Sequence, residues 1–554
     1  MMERNKAEIF KEYQRWIQKA NPEIVEELKG LNEAQIVDAF FKDLEFGTGG
    51  MRGVIGAGTN RINVHTIARA TQGFSNWLKK NYQSPAIAIA FDTRKMSKEF
   101  AQTAAKVLSA NGIKTYLFSE PTPTPVLSYA VRELGCSGGI VITASHNPPQ
   151  YNGYKVYTHD GTQAVPRYAE AIVKEISKLD FFVDLEGDEA LIKKVPDTVL
   201  LNFENYIIKL TEELLNIHGT NPEALKVLYT PLHGTGYKPV MDVLKKLRYN
   251  VETVKEQSTP DGNFPTVSYP NPEDPKAFTM ALKQAKEFNP DIIIATDPDC
   301  DRMGLMCQKG DSYVSITGNQ MGVIMLEFLL ESLKNRLPGD AFVVKTIVTT
   351  DLAKDIVNEY GVALKETLTG FKFIGELIEK SAVEKNGSFL FGFEESYGYL
   401  YGTHARDKDA VVASALAATI AASLKEKGIS LLEYLVRIYE KYGYYLESLK
   451  SFTFEGIEGM KKISRIMNNL RSDTPTEIEG KKLIDFKDYS KGIAELPPAD
   501  VVELVYEDNF KLIARPSGTE PKIKFYLMAK GNTHKATMEK IKFLERYVER
   551  IVKQ

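Results

Sequence analysis

Short apolar runs of strand length alternate with helical segments along most of this chain, and that alternation limits the possible folds more than any other feature. Pro85-Ala-Ile-Ala-Ile-Ala-Phe91 reads as a strand buried on both faces. Ser97–Ala110 follows as a helix with Gly112 near its end, and Thr115–Phe118 as the next strand. The same succession returns at Leu225–Tyr229, Gly236–Leu247 and Asn250–Val254. It returns again at Ala341–Ile347, followed by a helix over Asp351–Tyr360. Strands that alternate with helices imply α/β layers with largely parallel sheets, because a parallel neighbour needs a crossover long enough to hold a helix.

The two ends differ from this pattern. Near the start, Phe10, Tyr13, Trp16 and Ile17 share one helical face, so the first forty residues are expected to be helical. After Lys450 the strands alternate polar and apolar, as in Lys522-Ile-Lys-Phe-Tyr-Leu527, and the chain closes in a charged amphipathic helix. A smaller α+β domain is expected there. The 554 residues suit three to five domains at roughly 100–200 residues each. Polar or turn-rich stretches near Pro196–Asn205, Asp311–Gly318 and Tyr442–Lys450 suggest segments 1–203, 204–317, 318–443 and 444–554. No fixed-period repeat or low-complexity segment interrupts them.

Charge and composition exclude several classes of function. With 70 basic and 73 acidic residues the net charge is −3, so there is no electrostatic footprint for nucleic acid or an anionic membrane. Ala410–Leu424 is the most apolar long stretch, but it is too short to span a bilayer and reads as a buried helix. The charged N-terminus carries no apolar core of signal-peptide length. The three cysteines, Cys136, Cys300 and Cys307, show no C-x-x-C spacing, which argues against a zinc knuckle or a redox pair. Such sparse use fits a reducing compartment, and a cytoplasmic protein is expected.

Four segments carry chemistry. In Ile140-Val-Ile-Thr-Ala-Ser-His-Asn-Pro-Pro149 an apolar strand runs into Ser145, and two prolines then stop regular structure. Open α/β sheets bind ligands beyond the carboxyl ends of their strands, so Ser145 is placed to be a nucleophile, or simply to cap a turn. In Pro290-Asp-Ile-Ile-Ile-Ala-Thr-Asp-Pro-Asp-Cys-Asp-Arg302, Asp297, Asp299 and Asp301 stand at alternate positions after a strand. In an extended loop alternate side chains share a side, so three carboxylates would converge on a hard cation, Mg²⁺ or Ca²⁺. An EF-hand is excluded because loop position 6 is Arg302 and position 12 is Gln308. The bland alternative is a solvated acidic turn, and Cys300 is not expected to be a ligand.

The third segment, Phe389-Leu-Phe-Gly-Phe-Glu-Glu-Ser-Tyr-Gly398, sets Glu394 two residues before Ser396, a pairing suited to adjacent sugar hydroxyls or to a surface hairpin. Downstream, His404-Ala-Arg-Asp-Lys-Asp409 is a dense charged loop, too polar for an ordinary connection, with a solvated loop as the alternative. In the fourth, Leu512-Ile-Ala-Arg-Pro-Ser-Gly-Thr-Glu-Pro521, Arg515 offers a fork for phosphate, with Ser517, Gly518 and Thr519 beside it. An ordinary turn between strands is the alternative. Gly47–Gly53 and Gly56–Gly58 lack the G-x-G-x-x-G spacing of a dinucleotide site.

Taken in order from Phe46-Gly-Thr-Gly-Gly-Met-Arg-Gly53 to the Arg515 loop, these segments resemble the α-D-phosphohexomutase superfamily, and within it the branch of phosphoglucomutases and phosphopentomutases. The resemblance implies three related α/β domains with mixed sheets and a smaller C-terminal α+β domain around a central cleft. It makes Ser145 the phosphoserine and Asp297, Asp299 and Asp301 the ligands of one Mg²⁺, completed by a serine phosphate oxygen. Arg52 and Arg302 would steady the moving phosphoryl group, and His146 and Lys155 would be the acid/base candidates. Glu394 and Ser396 would read sugar hydroxyls, Thr369, Gly370 and Lys408 would contact substrate, and Arg515, Ser517, Gly518 and Thr519 would hold the unreactive phosphate. The implied reaction exchanges glucose 1-phosphate and glucose 6-phosphate through a bisphosphorylated sugar that also serves as activator. Pentose or mannose phosphates, a phosphatase, and a catalytically silent binding protein are the alternatives. The expected partner is a small sugar phosphate; oligomeric state is not readable from the sequence.

Overall fold

The computed structural model describes residues 4–47, 49–183, 186–454, 456–478, 480–517 and 522–553. It contains three α/β domains with mixed sheets and a fourth α+β domain. The chain packs as two compact units. One gathers Met1–Gly318, Phe371–Gly392 and Ser396–Gly428, and the other Asn319–Gly370, Phe393–Glu395 and Ile429–Gln554.

In the first unit, three short helices precede the first sheet: Lys6–Lys19, Pro22–Lys29 and Glu33–Phe40. Asn5 with Glu8, and Asn32 with Gln35, form capping boxes that start the first and third. Trp16 is fully buried between the rings of Phe40 and Phe181, as the helical spacing of the aromatic residues predicts. The first sheet runs in the order Phe46–Gly47, Gly50–Val54, Tyr151–Thr158, Gly138–Ile142, Ala86–Phe91, Lys114–Leu117 and Ile192–Lys194. Its centre is parallel: Ala86–Phe91 lies between Gly138–Ile142 and Lys114–Leu117. The side that carries Arg52 is antiparallel, with Arg52 opposite Gly153 and Val141 opposite Lys155. The second sheet is ordered Ser312–Ile316, Met303–Lys309, Ile292–Thr296, Lys226–Thr230 and Asn250–Thr253. Strand Ile292–Thr296 is buried at every residue and leads directly into the acidic loop.

Two connecting stretches are ordered. Most of Pro196–Asn205, where a boundary is expected, is the start of the helix Thr198–His218. Val199, Phe203 and Ile207 lie on its buried side together with Glu204, while Leu201, Asn202 and Asn205 are exposed. The charged stretch 404–409 is not solvated: His404, Arg406, Asp407 and Asp409 are all buried. Asp409 caps the helix Ala410–Glu426 through the N–H groups of Val411 and Val412 at 2.7 and 3.2 Å. Every residue of that helix from Ala410 to Leu424 is buried, and no helix among the described residues is long and apolar enough to cross a membrane.

In the second unit, Ala341–Thr346 pairs in parallel with Ala363–Thr367. The C-terminal sheet is antiparallel throughout, in the order Tyr444–Thr453, Lys522–Gly531, Phe510–Pro516, Val502–Tyr506, Lys481–Asp488 and Glu477–Ile478. Ile541, Leu544 and Val548, from the helix His534–Lys553, share its core with Leu512, Phe525 and Leu527.

Gly153 shows how tightly the first sheet closes on the Ser145 turn. A Cβ there would stand 2.3 Å from the carbonyl oxygen of Thr143 and 2.9 Å from that of Met51. Both obstacles are backbone, so neither can swing aside. Gly153→Ala is therefore expected to lower stability by about 1–3 kcal/mol, read as an earlier midpoint in urea unfolding.

Candidate active site

Ser145 lies beyond the end of Gly138–Ile142, in a left-handed backbone conformation (φ +51°) that is rare for a residue with a Cβ. Its N–H donates to Thr143 Oγ1 at 2.8 Å, and its Oγ donates to Asp297 Oδ2 at 2.8 Å. His146 Nδ1 is 3.3 Å from the same Oγ, with its ring edge-on to Tyr269. Arg52, exposed, donates to Asn147 Oδ1 at 3.1 Å and so braces the outer side of the turn.

Asp297, Asp299 and Asp301 bring a carboxylate oxygen each to within 4.8 Å of one another, and all three are buried. The solvated-turn alternative is thereby excluded. Convergence does not come from an extended loop, however. Cys300 is left-handed (φ +53°) and its N–H turns back to the Asp297 carbonyl at 2.9 Å. The N–H groups of Asp301 and Arg302 then donate to Asp297 Oδ1 at 3.0 and 2.9 Å. The loop is a turn wrapped around its own first carboxylate. Cys300 is fully buried and its sulfur lies outside the converging group of three carboxylates; burial pushes its thiol well above the ordinary range.

Other parts of the first unit tie this turn down residue by residue. Pro298 C=O accepts from Thr235 N–H and Oγ1 at 2.8 and 3.0 Å. Asp299 C=O accepts from Thr124 N–H at 2.9 Å, and Thr124 Oγ1 donates to Asp299 Oδ2 at 3.0 Å. Cys300 C=O accepts from Ala410 N–H at 3.2 Å. Arg302 donates to Glu273 and to the Ser396 carbonyl, the latter at 3.2 Å. Thr124 and Thr235 are the supports the sequence did not reveal; the only local sign was the Pro-Thr-Pro-Thr-Pro run at 121–125, a helix start with buried threonines.

Two lysines answer the three carboxylates. Lys155 Nζ is 2.9 Å from Asp299 and 3.6 Å from Asp301, and Lys408 Nζ is 2.7 Å from Asp301. Burial and the charges of Asp301 and Asp299 push Asp297 well above the usual carboxylate range. Burial acts the same way on Asp299, but Lys155 and Lys408 outweigh it and hold that carboxyl below the usual range. Lys155 moves up: burial opposes its charge, and Asp299 and Asp301 overcome that opposition. Burial, reinforced by Arg302 and Arg52, takes His146 well below its ordinary range, so its ring is neutral. The charged neighbours of Lys408 are themselves paired: Asp407 accepts from Tyr157 at 2.7 Å, His404 pairs with Asp409 at 2.7 Å, and Arg406 with Glu379 at 3.0 Å.

The donor set fits a hard cation. It is all carboxylate oxygen, it is buried, and Asp299 Oδ1 and Asp301 Oδ1 accept no hydrogen bond among the described residues. The second unit holds the other site candidates. Glu394 is buried and accepts from the Gly370 N–H at 2.8 Å, which joins it to the Thr369–Gly370 turn. A surface hairpin is therefore excluded at Glu394. Thr369 Oγ1 is buried without a hydrogen-bond partner among the described residues. Arg515 sits near the end of Phe510–Pro516 opposite Lys524, with Ser517 following; Gly518 and Thr519 lie outside the described residues.

Comparison with known proteins agrees with this arrangement. Residues 43–182, 204–310 and 317–442 match the family models for α/β/α domains I, II and III of phosphoglucomutase/phosphomannomutase. A phosphoglucomutase of Staphylococcus haemolyticus is 39% identical over 506 residues, covering 88% of this chain and 90% of the relative. One from Staphylococcus aureus is 35% identical over 549 residues, covering 95% and 97%. Among solved structures, the pp63/parafusin phosphoglucomutase of Paramecium in its open form superposes with a TM-score of 0.71 at 19% identity, over 93% of this chain and 95% of that one. A phosphoglucomutase/phosphomannomutase family protein of Burkholderia thailandensis gives 0.67 at 18% identity, over 91% and 97%; at such identities both show likeness of fold. With family models covering more than half its length and relatives above 30% identity along nearly all of it, the chain belongs to the phosphoglucomutase/phosphomannomutase family and is an isomerase of the phosphohexomutase type.

Proposed function

We propose that the chain interconverts glucose 1-phosphate and glucose 6-phosphate, with Ser145 as the phosphate carrier and Mg²⁺ as its cation. The observation that carries this reading is the hydrogen bond from Ser145 Oγ to Asp297 inside the buried carboxylate cluster. Glucose is favoured over mannose or pentose because the relatives covering most of the chain are named phosphoglucomutase. The division 1–203, 204–317, 318–443 and 444–554 is part of the same reading.

Asp297, Asp299, Asp301 and a phosphate oxygen on Ser145 would hold the cation, which supplies positive charge to the phosphate oxygens. The chain's own groups do the rest. Phosphoryl transfer depends mainly on positioning and charge neutralisation. Arg52, Arg302 and Lys155 offset charge on the moving group, and His146, 3.3 Å from Ser145 Oγ, and Lys155, 2.9 Å from Asp299, take and return the hydroxyl proton in this reading. Phosphorylated Ser145 gives its phosphoryl group to the free sugar hydroxyl, making a bisphosphorylated sugar. The other phosphate then returns to Ser145 after that sugar reorients, and the same bisphosphorylated sugar phosphorylates an empty enzyme. Thr369, Gly370, Glu394, Ser396 and Lys408 read the sugar, while Arg515, Ser517, Gly518 and Thr519 grip the phosphate at rest.

A coupled assay on glucose 1-phosphate, run beside mannose 1-phosphate and ribose 1-phosphate, tests the reading. Glucose 6-phosphate should appear fastest; free phosphate would mean a phosphatase, and no product from any of the three would reject the mutase. Ser145→Ala should abolish turnover while leaving the melting midpoint within a degree or two, and its intact mass should show no phosphate after exposure to glucose 1,6-bisphosphate. For the cation, Mg²⁺ at about a hundred times its Kd should stabilise the native protein by about 2.7 kcal/mol. Asp299→Asn should lose most of that gain in a thermal scan, and an equal gain in both proteins would reject the cluster as the cation site. Arg515→Lys should raise KM about tenfold or more, since a charge-assisted hydrogen bond contributes about 1.5–3 kcal/mol. It should also release bisphosphorylated sugar into solution, and unchanged KM with no released intermediate would remove Arg515 from the phosphate site.

A further inference from the structure

Arg94, three residues past the strand Ala86–Phe91, carries a guanidinium that the chemistry above leaves unused. Its side chain and that of Asp92 have no exposed surface. Nη1 donates to the carbonyl oxygens of Pro148 and Tyr151 at 2.9 and 3.1 Å. Nη2 donates to the carbonyl of Ser145 at 2.5 Å and to that of Asn147. Three of these acceptors belong to the turn that bears the nucleophile, and the fourth, Tyr151, opens the strand that follows it.

The fork is itself held from behind. Arg94 Nε lies 3.3 Å from Asp92 Oδ2, while Asp92 Oδ1 accepts from the Arg94 N–H at 2.9 Å and from Ser97 Oγ at 2.7 Å. The Phe264 ring stands beneath the guanidinium, 5.0 Å from centroid to Cζ. Ala86–Phe91 and Gly138–Ile142 are parallel neighbours with Phe91 opposite Ile142, so Arg94 and Ser145 leave the sheet at the same edge. That common exit is what brings the guanidinium within reach of the turn.

The turn needs such a partner. Pro148 and Pro149 have no N–H to donate, so no strand ladder can form across it. Ser145 holds a left-handed conformation that is unfavourable for a residue with a Cβ. Its carbonyl is buried, and a buried carbonyl without a donor is costly. In the left-handed conformation that carbonyl meets Nη2; rotating the residue to an ordinary conformation would turn it away. The guanidinium thus favours the one backbone state in which Oγ stands 2.8 Å from Asp297. A lysine, with its donors on a single atom, cannot span four carbonyls in this way.

The geometry points to Arg94 as the positioning residue of the phosphate carrier: by gathering the carbonyls of Ser145, Asn147, Pro148 and Tyr151 it sets the turn that aims Ser145 Oγ at the carboxylate cluster. This rests on the reading of Ser145 as the carrier. The test uses the full chain with two variants. Arg94→Lys keeps the charge beside Asp92 but loses the fork. The double variant Asp92→Asn with Arg94→Met removes both buried charges together, so neither is left uncompensated in the core. Both should fold with the circular dichroism of the parent. KM for glucose 1-phosphate should stay within about twofold, and kcat should fall about a hundredfold, the scale of a reacting group displaced by about an ångström. Amide exchange in a peptide spanning 143–151 should accelerate while that of 86–91 stays slow. Parental kcat in either folded variant, a loss confined to KM, or unaltered exchange over 143–151 would overturn the assignment. If the parent itself never takes phosphate on Ser145, the carrier reading fails, and the exchange measurement still decides whether Arg94 holds the turn.

Discussion

Burying three aspartates within one turn is the constraint around which the first unit is organised. At separations of 4.8 Å or less, two ionised carboxylates repel by about 3 kcal/mol or more at an effective dielectric of about 20. The fold answers with positive charge and donors brought from separate segments. Lys155 comes from the antiparallel side of the first sheet and Lys408 from the loop before the buried helix. Thr124 comes from the start of a helix, and Ser145 from the end of a strand. No single segment could supply these, because each element presents only its own end to the turn. The need to neutralise one acidic loop therefore explains why residues from three α/β domains meet there.

Local pattern was enough to read the elements. The helix Ser97–Ala110 has the bounds its spacing predicts, and the strands at Ala86–Phe91 and Ile292–Thr296 follow from apolar runs of the right length. The meeting of Ser145 with the three aspartates was also foreshadowed, since each stands just beyond the carboxyl end of an apolar strand. What escaped the sequence depends on partners remote in the chain. Arg94 looks like an ordinary loop arginine until Gly138–Ile142 is placed beside Ala86–Phe91. Thr124 acquires meaning only 175 residues later, at Asp299. The helix through Pro196–Asn205 escaped notice because its start mixes exposed polar residues with buried apolar ones over too few positions to show a period. The charged stretch 404–409 kept a solvated loop open as an alternative, because composition alone cannot tell such a loop from a buried one.

The two sheets of the first unit solve the same problem in the same way. Each ends a buried strand in a turn that contains one left-handed residue with a side chain, Ser145 in one and Cys300 in the other. Such a conformation costs about 1–2 kcal/mol and persists only where surrounding contacts over-determine it. At Cys300 these are the N–H bond to Asp297, the carbonyl bond from Ala410 and a buried thiol. At Ser145 they are Thr143 on one side and the Arg94 fork on the other. The two strained turns face each other across the 2.8 Å contact between Ser145 Oγ and Asp297.

The buried helix Ala410–Glu426 completes this arrangement by fixing charge in place. Its first N–H donates to the Cys300 carbonyl, so its positive end abuts the acidic turn. Asp409 accepts from the next two N–H groups and its other oxygen meets His404 Nε2 at 2.7 Å, so the first turn of the helix is held at the acidic turn. Because residues 410–424 are wholly buried, the helix cannot tilt to follow a passing ligand without disrupting its packing. Lys408, two residues before it, therefore starts from a rigid base even though its side chain is long. Dipoles and charges fixed before a phosphate arrives need no reorganisation when charge moves, and that is the condition under which electrostatic stabilisation of phosphoryl transfer is greatest.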